Sequence, residues 1–233
     1  YEITTRLVGS EMCIRDSNVK GPHENLSVLR SYFERQMEVL GVNVMLNTEA
    51  TADIIAEASP DIVIAATGGV RDTLGLSDTA GTKVVGIDDF MMADIAEEVV
   101  IVGSNVQAID AAMYLLAQGK HVQVVTPNAA SAIGAGHSFW VKTFTQPNMK
   151  ALGVRFWPEA TVTAVNDGSV TVKTATGIEQ EIACGTVVEA LDCLPNDNLS
   201  TGLSCEVVTV GDAARPFNIG EAICSGNAAA RAI

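Results

Sequence analysis

No two cysteines of this chain stand as C-x-x-C, and the five present, Cys13, Cys184, Cys193, Cys205 and Cys224, are odd in number. That spacing excludes a dithiol redox centre of that kind. It argues against a disulfide framework, and against a zinc or iron–sulfur site built from this segment alone. Buried thiols in a reducing cytoplasm are the expectation. Cations are scarce too: 14 Lys and Arg stand against 28 Asp and Glu, for a formal charge of −14. Nucleic-acid binding relies on clustered Lys and Arg, so a phosphate-backbone partner is not expected, and the charge reads as a solvated acidic surface. No apolar run approaches the roughly 18 to 20 residues that a membrane span needs. Nothing at the amino end has the pattern of a signal peptide. A chain of 233 residues, 48% of them hydrophobic, is then expected to be a soluble globular protein with one large or two small cores.

What is present centres on Glu98-Val99-Val100-Ile101-Val102-Gly103-Ser104-Asn105-Val106-Gln107-Ala108-Ile109-Asp110. A β-branched run, a glycine turn and an amphipathic helix follow one another at once. That is the opening of a dinucleotide-binding βαβ unit, in which the amide groups at a helix start face a pyrophosphate. Gly103 and Ala108 fit the G-x-G-x-x-G/A fingerprint. Asn105 stands where its second glycine belongs, and places a side chain where bare backbone should approach phosphate.

The remaining pattern is alternating. A helix is predicted over residues 24–40, with Leu26, Leu29, Phe33, Met37 and Leu40 on one stripe and Gly41 as its stop. A strand at 42–46 follows, then a helix over 52–58 capped by Thr51 and ended by Ser59-Pro60. The run Asp61-Ile62-Val63-Ile64-Ala65-Ala66 reads as a parallel strand buried on both faces, ending in Thr67-Gly68-Gly69. Residues 70–98 read as a weakly structured connection with one short strand at Val84-Val85. The helix after Gly103 is expected to bury Val106, Ile109, Met113 and Leu116 and to stop at Gly119. A strand over 121–125 closes that unit, and a helix starting near Phe139 is expected to kink or end at Pro147. A short strand at 154–156 precedes three runs, 161–165, 169–174 and 179–184, joined by Asn166-Asp167-Gly168 and Thr176-Gly177 as a β-meander. A parallel-type strand resumes at 186–190. The chain ends on Val207-Val208-Thr209-Val210, then Gly211-Asp212 and an alanine-rich helix.

This order predicts an α/β protein of two interleaved Rossmann-like domains, parallel sheets with helices and a meander, one domain inserted into the other. The outer domain takes residues 18–96 and 192–233, and the inner one 97–191. Residues 1–17 are set aside as an artefact or disordered. Arg6-Leu7-Val8-Gly9-Ser10-Glu11-Met12-Cys13-Ile14-Arg15-Asp16-Ser17 resembles a translated sequencing adapter, and the chain starts at Tyr1 without an initiator methionine.

Three phrases carry a family resemblance: Leu40-Gly41-Val42-Asn43-Val44-Met45-Leu46-Asn47-Thr48-Glu49-Ala50-Thr51, Pro60-Asp61-Ile62-Val63-Ile64-Ala65-Ala66-Thr67-Gly68-Gly69, and Val210-Gly211-Asp212. Together they resemble the carboxy-terminal part of the flavin oxidoreductases that include 2,4-dienoyl-CoA reductase and trimethylamine dehydrogenase. The resemblance covers nearly everything after residue 18. It implies an upstream old-yellow-enzyme-type TIM barrel with FMN and iron–sulfur cysteines, and an upstream glycine-rich loop for the FAD or ADP pyrophosphate. A fragment of this kind is not expected to turn over substrate alone. Its partners would be an adenine nucleotide or dinucleotide and the barrel of the same protein.

The resemblance also distributes the cofactor-binding residues. Gly211 and Asp212 are the first choice for the outer nucleotide. The acid after the strand accepts from ribitol or ribose hydroxyls and the next helix offers amides to phosphate, whereas a purely structural Asp212 would cap the adjacent turn. Thr67 and Gly68 are weaker choices on the adenosine side, since a sharp strand exit explains them almost as well. For a pyridine dinucleotide, Gly103, Ser104 and Asn105 would present the turn. Against that stand Asn105 itself and Val125-Thr126-Pro127, which holds neither the acid for a ribose 2′-hydroxyl nor a cation for a 2′-phosphate. Asp192 and Leu194 stand before Pro195-Asn196-Asp197-Asn198 where the family has glycine and arginine. The resemblance thus implies a degenerate NAD(P) module and a trimethylamine-dehydrogenase-like role on small N-methylated amines. An NAD(P)H-dependent enoyl-thioester reductase comes second, and a non-catalytic ADP-holding module third. A disulfide reductase would need the cysteine pair that the chain lacks. His137 and Trp140 have no nucleophile or acid at a recognisable spacing and read as packing or surface groups, as do His23 and His121. Glu97-Glu98 reads as solvated charge. No metal site and no catalytic residue are expected in the chain.

Overall fold

The computed structural model describes residues 2–3, 26–137, 139–200 and 203–233. The adapter-like segment 6–17 with Cys13, and His23, lie outside the described residues, as does the side chain of Trp140. The chain forms two compact units, Asp72–Asp192 and Tyr1–Arg71 with Cys193–Ile233.

The inner unit is built on a five-stranded sheet. Its strands are β5 (Lys83–Gly86), β6 (Glu98–Val102), β7 (His121–Val125), β8 (Arg155–Trp157) and β12 (Thr186–Glu189), in the order β5-β12-β6-β7-β8. All four pairings are parallel. Helix α3 (Val106–Ala117) links β6 to β7, and α4 (Phe139–Ala151) precedes β8. Strands β9 (Ala160–Asn166), β10 (Ser169–Thr174) and β11 (Glu179–Ala183) form the antiparallel meander expected from the turn residues. Alternation assigns the faces. Val100, Val102, Val125 and Val187 pack with Val162, Val170, Val172 and Ile182 of the meander. The alternate residues Val99, Ile101, Val124 and Val188, also buried, point to the side where α3 lies. Burial on both faces is why β6 and β12, at the centre of the sheet, read as runs of β-branched residues.

Three expectations change here. The helix buries Ala108, Ile109, Ala111, Ala112 and Leu115, while Met113 is exposed. Alanines let α3 settle close to the sheet, so the apolar stripe read from the larger side chains is rotated from the one in use. The second helix runs through Pro147 to Ala151. Gln146 Nε2 donates to Ile133 O at 2.7 Å, and Met149 is buried, so tertiary contacts on either side of the proline compensate for one lost backbone bond. The inner unit also starts at Asp72 rather than at residue 97. Strand β5 pairs with β12, Thr82 Oγ1 donates to Cys184 O at 2.7 Å, and Thr73 Oγ1 donates to Glu189 Oε2 at 3.0 Å. Those bonds tie residues 72–96 to this sheet.

In the outer unit, α1 (Leu26–Val39) leads to β2 (Asn43–Val44), which pairs in parallel with β1 (Glu2–Ile3), two residues of the set-aside segment. Helix α2 (Ala52–Ala58) is capped by Thr51, whose Oγ1 accepts from Ile54 N, and closes on Ser59 in the left-handed region. Strand β3 (Ile62–Ala65) runs parallel to β14 (Glu206–Thr209). Strand β4 (Gly69–Arg71) runs antiparallel to β13 (Cys193–Pro195), a pairing that the sequence pattern did not predict. Helix α5 (Ile219–Ala232) starts at Asn218, whose side chain accepts from Glu221 N. The expected burial of residues 61–66 on both faces is not met: Ala65 is buried but Ile64 is 40% exposed. Among the described residues β3 has β14 as its single strand partner, and α2 and α5 bury none of their own side chains.

No helix among the described residues is long and apolar enough to cross a membrane. At the surface of the inner unit, Glu97 and Glu98 are ion-paired rather than simply solvated. Glu97 Oε2 lies 3.5 Å from Lys120 Nζ, and Glu98 Oε1 lies 2.6 Å from His121 Nδ1. The hydrogen bond and charge of Glu98 raise the His121 pKa, with a smaller contribution from Glu97. Any stabilisation from this pair is present at low pH and is lost as pH rises through the raised value. Glu98→Gln should therefore lower the NMR-detected His121 midpoint, and Glu97→Gln should lower it less.

Candidate functional site

The outer unit brings its four predicted residues to neighbouring strand ends. Parallel pairing sets Ala65 beside Thr209, and Val210 N donates to Ala65 O at 2.9 Å. The two chains then leave the sheet side by side, as Thr67-Gly68 and Gly211-Asp212. Ligands of α/β sheets sit at this carboxyl edge.

Thr67 Oγ1 donates to Asn196 O at 2.7 Å, and Asn196 N donates to Ala213 O at 3.1 Å. The loop after β13 thus ties the two exits together. Gly68 is buried with φ +76°, a conformation that favours glycine. A Cβ on neighbouring Gly69 would stand 2.8 Å from Cys193 Cβ. Close backbone approach there serves the β4–β13 pair. Gly211 has φ +61°, and its N–H donates to Ser225 Oγ of α5 at 2.9 Å.

Asp212 is 4% exposed, and its Oδ1 accepts from Phe217 N at 3.2 Å. Burial raises its pKa, while the Phe217 N–H and the charge of Arg71 pull the other way. A buried carboxylate whose desolvation outweighs these partners has remaining capacity to accept hydrogen bonds. Ribose or ribitol hydroxyls would meet that capacity, and α5 starts a few residues on. These residues fit an adenine nucleotide. The Phe217 bond is the turn brace that a purely structural aspartate would make.

The inner unit has the right topology and a different turn. From β6 the chain moves through β7 to β8 on one side, and places β12 and β5 on the other. The strand order therefore reverses between β6 and β12, the switch point where such sheets take ligands. Gly103 has φ +146°, and a Cβ there would stand 2.2 Å from Ala190 O. The glycine is needed for the approach of β6 to the end of β12. Asn105 is the N-cap of α3, and its Oδ1 accepts from Ala108 N at 2.9 Å. Its Nδ2 donates to Ala190 O at 3.1 Å and to Asp192 Oδ1 at 2.9 Å. The backbone there is extended, with φ −73° and ψ −179°. Ser104 is 7% exposed; its Oγ accepts from Asn128 Nδ2 at 2.9 Å. Asn105 Oδ1 thus takes up one of the helix-start amides that a phosphate would use, Ala108 N–H, and a carboxylate stands beside it. This turn does not fit a dinucleotide pyrophosphate.

Two residues escaped the sequence reading. His137 Nε2 lies 3.4 Å from Asp110 Oδ1, so an acid does accompany it, brought from α3 rather than from nearby sequence. At 13% side-chain exposure, with no nucleophile in reach among these contacts, the pair braces the loop onto the helix. Asn196, read as part of a turn, is the link between Thr67 and Ala213. Among the described residues no group of His, Cys, Asp or Glu could hold a metal ion, and Cys184, Cys205 and Cys224 are free thiols. Burial pushes the Cys184 thiol up to about 11, which leaves it inert.

The fold and these strand-end turns define a nucleotide-binding α/β domain of the oxidoreductase type. Residues 56–190 match the pyridine nucleotide-disulphide oxidoreductase family, and the chain belongs to it. A cinnamate reductase of Clostridium sporogenes is 32% identical over 99 residues, which cover 42% of this chain and 15% of that protein. A probable N-methylproline demethylase of Rhizobium meliloti is 36% identical over 106 residues, again 42% of this chain and 15% of that protein. The structure of a 2-naphthoyl-CoA reductase in complex with 2-naphthoyl-CoA superposes over 97% of this chain and 34% of its own, at 28% identity and a TM-score of 0.77. The chain is therefore an oxidoreductase domain of the flavin- and pyridine-nucleotide-binding kind, related to enoate reductases and amine-oxidising enzymes. It spans about 15% of the curated relatives and about a third of the structural neighbour.

Proposed function

We propose that this chain is the nucleotide-binding, electron-transfer portion of a flavin-dependent oxidoreductase, with the adenine part of FAD, or ADP, held by the outer unit. In this reading the outer domain comprises, among the described residues, 26–71 and 193–233, since 72–96 and Asp192 belong with the inner sheet. The observation that carries it is buried Asp212, set at the carboxyl end of β14 beside the Thr67-Gly68 exit of β3. Asp212 would accept from ribose or ribitol hydroxyls. Gly68 and Gly211 would keep side chains clear of the ligand, and Thr67 would hold the loop at Asn196 that shapes the adenosine side. When bound, a flavin supplies the redox chemistry; this chain's own residues bind and orient it. FMN, an iron–sulfur centre and the reacting substrate would belong to a barrel domain of the same protein.

The substrate class favoured is small N-methylated amines. Support comes from the relationship to an N-methylproline demethylase and from the inner turn, where Asn105 and Asp192 leave no seat for the reductant that an NAD(P)H-dependent enoate reductase needs. The relationship to a cinnamate reductase sustains enoate reduction as the second reading.

Acid release of the ligand from the intact purified protein, followed by absorbance and chromatography, tests the proposal. One adenine nucleotide per chain is expected. Adenine nucleotide with no FAD would favour a purely structural ADP module, and rapid flavin reduction by NADH or NADPH in stopped flow would favour the enoate reductase. A protein free of adenine nucleotide that also binds none on addition would defeat all three.

A further inference from the structure

Phe217 is anchored at the Asp212 turn while its ring stays open. Its backbone N–H donates to Asp212 Oδ1 at 3.2 Å. Just before it, Arg215 N donates to Gly211 O at 2.9 Å and closes a turn on the exit of β14. Pro216 reaches the other exit: a Cβ on Gly69, next to Thr67-Gly68, would stand 3.4 Å from Pro216 Cγ. The segment that ends in Phe217 is therefore tied to both strand ends of the outer unit. Even so, Phe217 is 58% exposed, and among the described residues no aromatic ring pairs with it.

Helix α5 makes no use of the ring either. Asn218 is its N-cap, so Phe217 precedes the cap. From that position a large apolar side chain ordinarily packs on the fourth helical residue. Here that residue is Ala222, and its methyl group lies by the Gly211 turn, 3.5 Å from where a Cβ on Gly211 would stand. One methyl group is too small to cover a phenyl ring, in keeping with the exposure.

We propose that Phe217 is the stacking platform for the heterocycle of the nucleotide in the outer unit, the ring joined to the sugar whose hydroxyls Asp212 accepts. The inference rests on reading that unit as a nucleotide seat, and deepens it. The Asp212 carboxylate fixes the Phe217 amide through Oδ1 and keeps lone pairs for a sugar hydroxyl. A sugar bound there leaves its heterocycle a few bonds away, within reach of a phenyl side chain anchored at the same carboxylate. Stacking removes both ring faces from water and needs no particular hydrogen-bond pattern, so it serves adenine and isoalloxazine alike. Phenylalanine also has no polar atom to desolvate. The brace from Asp212 to the Phe217 turn then has a binding purpose: it holds the platform where the sugar is held.

Isothermal titration of the intact protein, freed of bound nucleotide, with FAD and separately with ADP reads the platform. Phe217→Ala should weaken binding roughly 10-fold or more. A loss with both probes places adenine on the ring, and a loss with FAD alone places isoalloxazine there. Phe217→Trp should keep the affinity of the unaltered protein, whereas Phe217→Leu, apolar but without a π face, should restore little of what alanine loses. The ligand-free melting temperature should be unchanged in all three, since an exposed ring makes few contacts within the chain. Full affinity in Phe217→Ala would overturn the proposal, as would a loss that Phe217→Trp shares or one that comes with a lowered ligand-free Tm. Binding weakened by Asp212→Asn but not by Phe217→Ala would remove the platform and leave the nucleotide seat standing. No binding of either probe by the unaltered protein would remove both.

Discussion

Gly103→Ala should unfold the inner unit at markedly lower temperature. Its backbone sits at φ +146°, where an L side chain is strained, and the new Cβ would be 2.2 Å from Ala190 O and 2.9 Å from Ala190 C. Both atoms are backbone and cannot swing aside. Moreover, Gly103 N donates to Val125 O at 2.9 Å while Ala190 N donates to Val102 O at 2.8 Å. Relief by movement would therefore break the ends of three neighbouring strands. Strain and clash together should cost about 3–5 kcal/mol, which lowers Tm by something on the order of 10 °C. Calorimetry or a circular-dichroism melt measures it. Gly86→Ala is the control, because a Cβ there meets nothing within 4 Å and its φ is not in the left-handed region. A Gly103→Ala protein that melts with the control would mean that β6 and β12 do not approach each other as described.

That result bears on how much of the inner unit was legible. The order of strands and helices follows from local pattern: β-branched runs for β6, β7 and β12, and turn residues for the meander. What the Gly103 turn contacts is a different matter. A glycine at a strand–helix junction looks the same whether it clears space for a phosphate or for Ala190. Asn105 shows the same ambiguity. The sequence marks it as a departure from the fingerprint, yet its partners Ala190 and Asp192 lie 85 and 87 positions away in the chain, and no local rule supplies them.

The loop before α4 was legible in principle. Gly134-Ala135-Gly136 between a strand and a helix is a signal of close backbone approach; only its target was hidden. Asp110 was hidden for the same reason, since its position on α3 relative to His137 depends on how the loop returns. The outer unit failed differently. Its run from Asp61 to Ala66 has the composition of a central buried strand, and composition reports the environment to which a sequence is adapted. Among the described residues that environment is one neighbour, β14, and Ile64 stays half exposed.

Asp212→Asn separates binding from bracing. The asparagine keeps shape and can still accept from Phe217 N through its carbonyl oxygen, but loses the charge. If the carboxylate accepts from nucleotide hydroxyls, each charge-assisted bond is worth about 1.5–3 kcal/mol, and adenine dinucleotide should bind roughly 10- to 100-fold more weakly to the intact protein. Stability should move the other way or not at all. Burial raises the Asp212 pKa above its ordinary value, so the folded protein prefers the neutral acid. Its contribution is most favourable below the unfolded pKa and is lost as pH rises through the folded one. Near neutrality the ionised group is therefore a cost, which a neutral amide removes. Hydroxyl donors act oppositely, favouring the charged form and releasing a proton when the ligand binds. Affinity of the unaltered protein should fall as pH drops through the raised Asp212 pKa, and Asp212→Asn should show no such fall. Isothermal titration across that acid window, with a melt of each ligand-free protein, reads both effects. Unchanged affinity together with a lower Tm in Asp212→Asn would make Asp212 a brace for the Phe217 turn and nothing more, and the nucleotide seat would have to lie elsewhere.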